Sequence, residues 1–147
     1  MAMMNAQGAE KLTWTILFLC WLLASVATLG SLFFSEVMDL APCSLCWYQR
    51  IFLFPLVLLF TVGLYPPDRN VARYALPLVA GGWLVAGYQN LLVWGIVPET
   101  VSPCRQGVSC TEIDFELLGF VTIPLLSWLA FTALMGMLLF LIRRTTK

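Results

Sequence analysis

Four long apolar stretches, set apart by short polar ones, lay out the plan of this chain. They run over residues 12–34, 47–65, 74–97 and 117–142. A helix crossing the hydrocarbon of a bilayer needs about 20 apolar residues at roughly 1.5 Å each, and every stretch meets that length. The connections at 35–46, 66–73 and 98–116 carry most of the charged residues. This pattern predicts an all-α membrane protein, a bundle of four transmembrane helices in a single integral membrane domain over 1–147. Pro55 and Pro124 fall inside the second and fourth stretches, where neighbouring helices satisfy the freed carbonyls, and kinks are expected there. No internal repeat or low-complexity segment interrupts the plan. The first stretch is expected to stay as a span and not to be cleaved as a signal peptide, because its apolar run is longer than a signal core.

Composition sharpens the class. Of 147 residues, 61% are hydrophobic and 11% charged, against about 25% charged in a soluble domain. Formal net charge is zero, and eight scattered Lys and Arg form no basic surface for nucleic acid. Histidine is absent, which removes the commonest general base and metal ligand. Orientation follows from the basic residues. Lys11, Arg69, Arg73, Arg143, Arg144 and Lys147 fall on one side, and only Arg50 and Arg105 on the other. The second side also holds Glu36, Asp39, Glu99, Glu112, Asp114 and Glu116. Both termini are therefore expected in the cytoplasm of a bacterial cell, with the first and third connections outside.

Those two outer connections carry the chemistry. One reads Pro42-Cys43-Ser44-Leu45-Cys46-Trp47-Tyr48-Gln49-Arg50 and the other Pro103-Cys104, with Cys110 after five intervening residues. Outside the membrane such pairs are expected to be disulfide-bonded. As structural staples they would close loops too short to remove much chain entropy. A four-thiolate zinc site would need free thiolates in an oxidising space. A thiol oxidoreductase accounts for more, since Cys-x-x-Cys pairs work at helix N-termini, where unpaired N–H groups favour an anion. Cys46 falls at the cap or first turn of the second helix. Arg50 lies one turn deeper, about 6 Å along the axis, and an intramembrane cation is costly and generally functional. No haem, dinucleotide or metal-cluster motif supplies an electron acceptor. A lipid-soluble quinone needs only an apolar slot beside the thiolate and a group for its carbonyl, which Cys46, Arg50, Trp47 and Gln49 would furnish, with Tyr48 alongside. Cys20, in the middle of the first stretch, reads as a small buried apolar residue.

With these residues in view, the chain resembles the DsbB family of disulfide-forming membrane oxidoreductases, and looks closest to the BdbC branch of Gram-positive bacteria. The resemblance rests on Pro42 through Arg50, continuing to Ile51 and Pro55. It is also carried by Leu29 through Glu36, by Pro103-Cys104 with Cys110, and by Gly119 through Pro124. It implies a four-helix bundle that reoxidises an extracytoplasmic, thioredoxin-fold oxidase of the DsbA or BdbD type and passes the electrons to membrane quinone (menaquinone or ubiquinone). Carried over by position, Cys104 is the site of attack by the partner, the Cys104–Cys110 bond exchanges with Cys43–Cys46, and Cys46 hands electrons to a quinone held by Arg50. The loop between Cys104 and Cys110 is shorter than in Gram-negative members. Two other readings stand beside this one: a reductase like the vitamin K epoxide reductases, and a non-catalytic membrane scaffold with structural disulfides.

Overall fold

A computed structural model describes residues 2–39, 42–98, 100, 116–117 and 121–145, with the side chains of 2–6, 116, 117, 121 and 145 left aside. Helix α1 runs Ala2–Glu36, α2 Ser44–Leu64 and α3 Val71–Val93. A two-stranded antiparallel ribbon of β1 (Glu116–Leu117) and β2 (Val121–Thr122) then leads into α4 (Ile123–Thr145). Each of the four helices contains a segment long and apolar enough to cross a membrane.

The helix boundaries differ from the apolar stretches, each for a local reason. The second helix starts at Ser44 because Cys43 caps it: its backbone is extended (φ −69°, ψ 168°), and its sulfur accepts the Cys46 N–H at 3.3 Å. The third ends at Val93, not Val97, because Gly95 adopts φ +72°, a conformation that glycine reaches without strain. The Gly95 N–H then bonds Leu92 O (3.0 Å) and the Ile96 N–H bonds Leu91 O (3.1 Å), the paired closure typical of a glycine C-terminus. The fourth starts at Ile123, so Leu117 belongs to the ribbon and not to a span. Pro124 is consequently a first-turn residue, where its missing N–H removes no helical bond, and the expected kink there has no basis. Pro77, inside α3, was not singled out from the pattern.

The helices pack in sequence: α2 lies between α1 and α3, and α3 packs most extensively against α4. Leu17, Cys20 and Ala24 of α1, Leu56 and Phe60 of α2, and Phe131, Leu134 and Leu138 of α4 fill the centre. Helix α3 contributes small side chains, Ala72, Ala75, Val79, Gly82 and Ala86, spaced three and four apart. Small residues on such a stripe let membrane helices approach closely. At Gly82 a Cβ would overlap the Phe131 ring, so the absence of a side chain fixes that contact. Indole donors pin neighbouring helices: Trp21 Nε1 donates to Thr61 Oγ1 (2.9 Å) and Trp83 Nε1 to Thr132 Oγ1 (3.0 Å). Leu29, Leu58, Val62 and Leu84 point outward and are more than 60% exposed, as side chains facing lipid should be.

Candidate functional site: a dithiol at the start of the second helix

The chain direction brings the end of α1, the start of α2, the end of α3 and the start of α4 to one end of the bundle. The site is built there. Cys43 and Cys46 are free thiols with sulfurs 2.7 Å apart, closer than unbonded sulfurs ordinarily sit and a short movement from the about 2.05 Å of a disulfide. Cys43 is 6% exposed and packs with Leu45 and Leu92, with Val85, Tyr88 and Val97 against them. Its hydrogen bond to Cys46, and then its burial, push the Cys43 thiol well above the ordinary cysteine range. The two sulfurs share one hydrogen bond.

Around the sulfurs is a set of buried polar side chains. Gln89 of α3, 3% exposed, directs Nε2 at both: 3.4 Å to Cys43 Sγ and 3.6 Å to Cys46 Sγ. Its Oε1 accepts from Gln49 Nε2 at 2.6 Å, and Gln49 Oε1 accepts the hydroxyl of Ser127 on α4. Asn90 Nδ2 donates to Ala86 O (2.8 Å) and to Pro124 O (3.0 Å), tying α3 to the start of α4.

Arg50 lies on the other flank and is 7% exposed. Its Nε donates to Ser31 Oγ (2.8 Å) and its Nη2 to Ser31 O (2.7 Å), on α1. The guanidinium carbon sits 5.3 Å from the Trp47 ring centre, within cation–π range. Arg50 follows Cys46 by four residues, one helical turn on the same side of α2. Among the described residues no carboxylate pairs with Arg50, so a buried cation is left with neutral partners, a costly arrangement that an anion at this spot would relieve.

The residues expected to contact a quinone thus divide. Cys46 and Arg50 share one region, with Trp47 beside them, its indole 54% exposed on the outer face. Gln49 does not join them: both ends of its amide are taken by Gln89 and Ser127, and it turns toward α3 and α4. Tyr48 is exposed. Cys104, Cys110 and Arg105 lie outside the described residues. Gln89, Ser31 and Ser127 were missed, although a Gln-Asn pair inside an apolar stretch is a visible signal, since polar groups there are costly and generally functional. A cavity of about 410 Å³ between α3 and α4, bounded by Trp83, Tyr88, Trp94 and Trp128, contains none of the expected quinone contacts. The chemistry of the sulfurs, and not the size of that cavity, locates the site.

A spanning four-helix bundle with a dithiol at the buried start of its second helix defines a class: membrane thiol–disulfide oxidoreductases. Sequence comparison makes the class particular. The family described as "Disulfide bond formation protein DsbB" matches residues 12–141, and the chain belongs to it. A "Probable disulfide formation protein" of Metapseudomonas resinovorans is 43% identical over 97% of this chain and 99% of its own length. "Probable disulfide formation protein C 2" of Bacillus anthracis is 42% identical over 82% and 85%, in keeping with a BdbC-like branch. A Coxiella burnetii protein, also a "Probable disulfide formation protein", is 44% identical over 78% of each chain. No solved structure matches the sequence.

Proposed function

We propose that this protein reoxidises an extracytoplasmic, thioredoxin-fold oxidase of the DsbA or BdbD type and passes the electrons to membrane quinone, with both termini in the cytoplasm. The observation that carries the reading is the pair of touching sulfurs one helical turn from a buried cation that has no carboxylate partner among the described residues. The six-to-two distribution of Lys and Arg supports the orientation.

In this reading a partner thiolate attacks Cys104, the Cys104–Cys110 bond breaks, and Cys110 departs with the electron pair. The partner's second thiolate closes the partner disulfide and releases Cys104. The loop dithiol then exchanges with the Cys43–Cys46 disulfide: attack on the Cys43 sulfur expels Cys46 as thiolate. Closure of the loop disulfide leaves both electrons on the Cys43–Cys46 pair. Quinone, when bound, supplies the acceptor for two electrons and two protons. Cys46 and Arg50 would hold it, with the Trp47 indole beside them. Arg50 balances negative charge there, and any proton the dithiol holds must be released when its disulfide re-forms.

Purified protein in lipid nanodiscs should oxidise a reduced DsbA-like protein in step with loss of quinone absorbance. Oxidation that proceeds equally without quinone would overturn the acceptor. Reduction of the partner at the expense of quinol would make the protein a reductase.

A further inference from the structure

We infer that Gln89 is a catalytic residue of the dithiol, giving its amide N–H groups to whichever of Cys43 and Cys46 carries negative charge, and that Gln49 and Ser127 position it. The inference rests on the reading of Cys43–Cys46 as the redox-active pair and adds the group that stabilises its leaving sulfur.

Three helices build the arrangement. The Ser127 hydroxyl donates to Gln49 Oε1, Gln49 Nε2 donates to Gln89 Oε1, and Gln89 Nε2 is left facing both sulfurs at 3.4 and 3.6 Å. Gln49 and Gln89 are 9% and 3% exposed, so water competes little for these bonds, which are stronger in a low-dielectric interior. The polarity of the chain matters. Were every donor reversed, the Gln89 oxygen would face the sulfurs. A disulfide and a thiolate have no proton to offer that oxygen. The polarity with N–H toward sulfur, as the structure has it, suits the disulfide and the thiolate alike.

The consequence is kinetic and thermodynamic. When a loop thiolate attacks Cys43, the Cys43–Cys46 bond breaks and Cys46 takes the electron pair; a donor already in place stabilises that charge without rearrangement. Because Gln89 reaches both sulfurs, it also serves when the charge is on Cys43. Stabilising the reduced form makes a dithiol pair more oxidising.

The test is the redox equilibrium of Cys43–Cys46 against a thiol buffer, in full-length protein with Cys104 and Cys110 changed to Ser. It needs neither partner nor quinone, so its failure is separable from that of the quinone-linked reading. Gln89→Met keeps length and removes both donors. It should shift the equilibrium toward disulfide by about tenfold, about 30 mV lower in potential, and reduce the thiolate absorbance near 240 nm. Ser127→Ala should shift it the same way by a smaller factor. A folded Gln89→Met protein with unchanged potential and thiolate absorbance would falsify the assignment. Should that variant not fold, the unmodified pair decides: the Gln89 side-chain amide resonances should move on reduction of Cys43–Cys46, and static resonances overturn the inference.

Discussion

Cys20 and Cys43 are both buried thiols in the same bundle, yet their surroundings share almost nothing. Cys20 is fully buried in the middle of α1, in the cluster that holds Leu17, Ala24 and Phe60. Cys43 is nearly as buried, but it caps a helix, touches a second sulfur and receives an amide N–H from Gln89. Burial by itself makes a cysteine an inert apolar side chain. What separates the two is the supply of donors: free N–H groups at a helix start, a side-chain amide oriented from another helix, and a buried guanidinium one turn beyond the second sulfur.

The sharpest way to break the contrast is to remove one sulfur from the reactive end. Cys46→Ser should reduce quinone-linked oxidation of a reduced partner to background, because the pair then has no disulfide to exchange. Retention of turnover in that variant would transfer the chemistry elsewhere in the chain. A smaller effect is expected at Arg50. A hydrogen bond to a charged group is worth about 1.5–3 kcal/mol, so Arg50→Met should raise the apparent quinone KM by about one to two orders of magnitude. Lys keeps the charge but not the forked donors and should fall between. Since Arg50 also ties α2 to Ser31, Ser31→Ala serves as the control. If the control alone reproduces the whole loss, Arg50 is a structural tie and not a quinone contact.

The other half of the comparison is tested by packing. Gly82→Ala would drive a methyl into the Phe131 ring, and overpacking of this kind costs about 1–3 kcal/mol. Its midpoint of thermal unfolding should drop by several degrees. The Cys43–Cys46 redox equilibrium should hold, since Phe131 packs in the central cluster and the two sulfurs in a separate one with Leu45 and Leu92. A shift in the equilibrium would mean that core and site are mechanically coupled.

The fold was legible because membrane spans announce themselves by length alone, whereas their ends depend on single residues. Gly95 ends α3 through a positive φ, and Pro124 reads as an interior proline until the helix is known to begin at Ile123. At the site, Cys46 and Arg50 are four apart in sequence, so helical geometry places them together without any tertiary knowledge. Gln89 reaches the sulfurs across 43 and 46 positions of chain. Nothing local marks it except its polarity in an apolar stretch. Gln49 and Arg50 part for the related reason that adjacent helix residues point about 100° apart: Arg50 turns to α1 and Gln49 to α3 and α4. Which neighbour each met could be settled only by the packing order.

The smallest effect is expected at Cys20, and it bears most directly on the contrast. Cys20→Ala removes one sulfur from a close-packed centre, and truncations of this size cost about 1 kcal/mol. Turnover should stay within about twofold of the unmodified protein, since most of a stability loss that small is absorbed without unfolding an appreciable fraction. In the same preparations, a water-soluble maleimide should leave Cys20 unmodified in folded protein and label it once detergent has unfolded the chain. Reduced Cys43–Cys46 should react first at Cys46, which is the more exposed of the two. Rapid labelling of Cys20 in the folded state, or loss of turnover in Cys20→Ala without a matching drop in thermal stability, would place a second reactive thiol in the bundle core. The distinction between an inert buried cysteine and a supplied one would then fail.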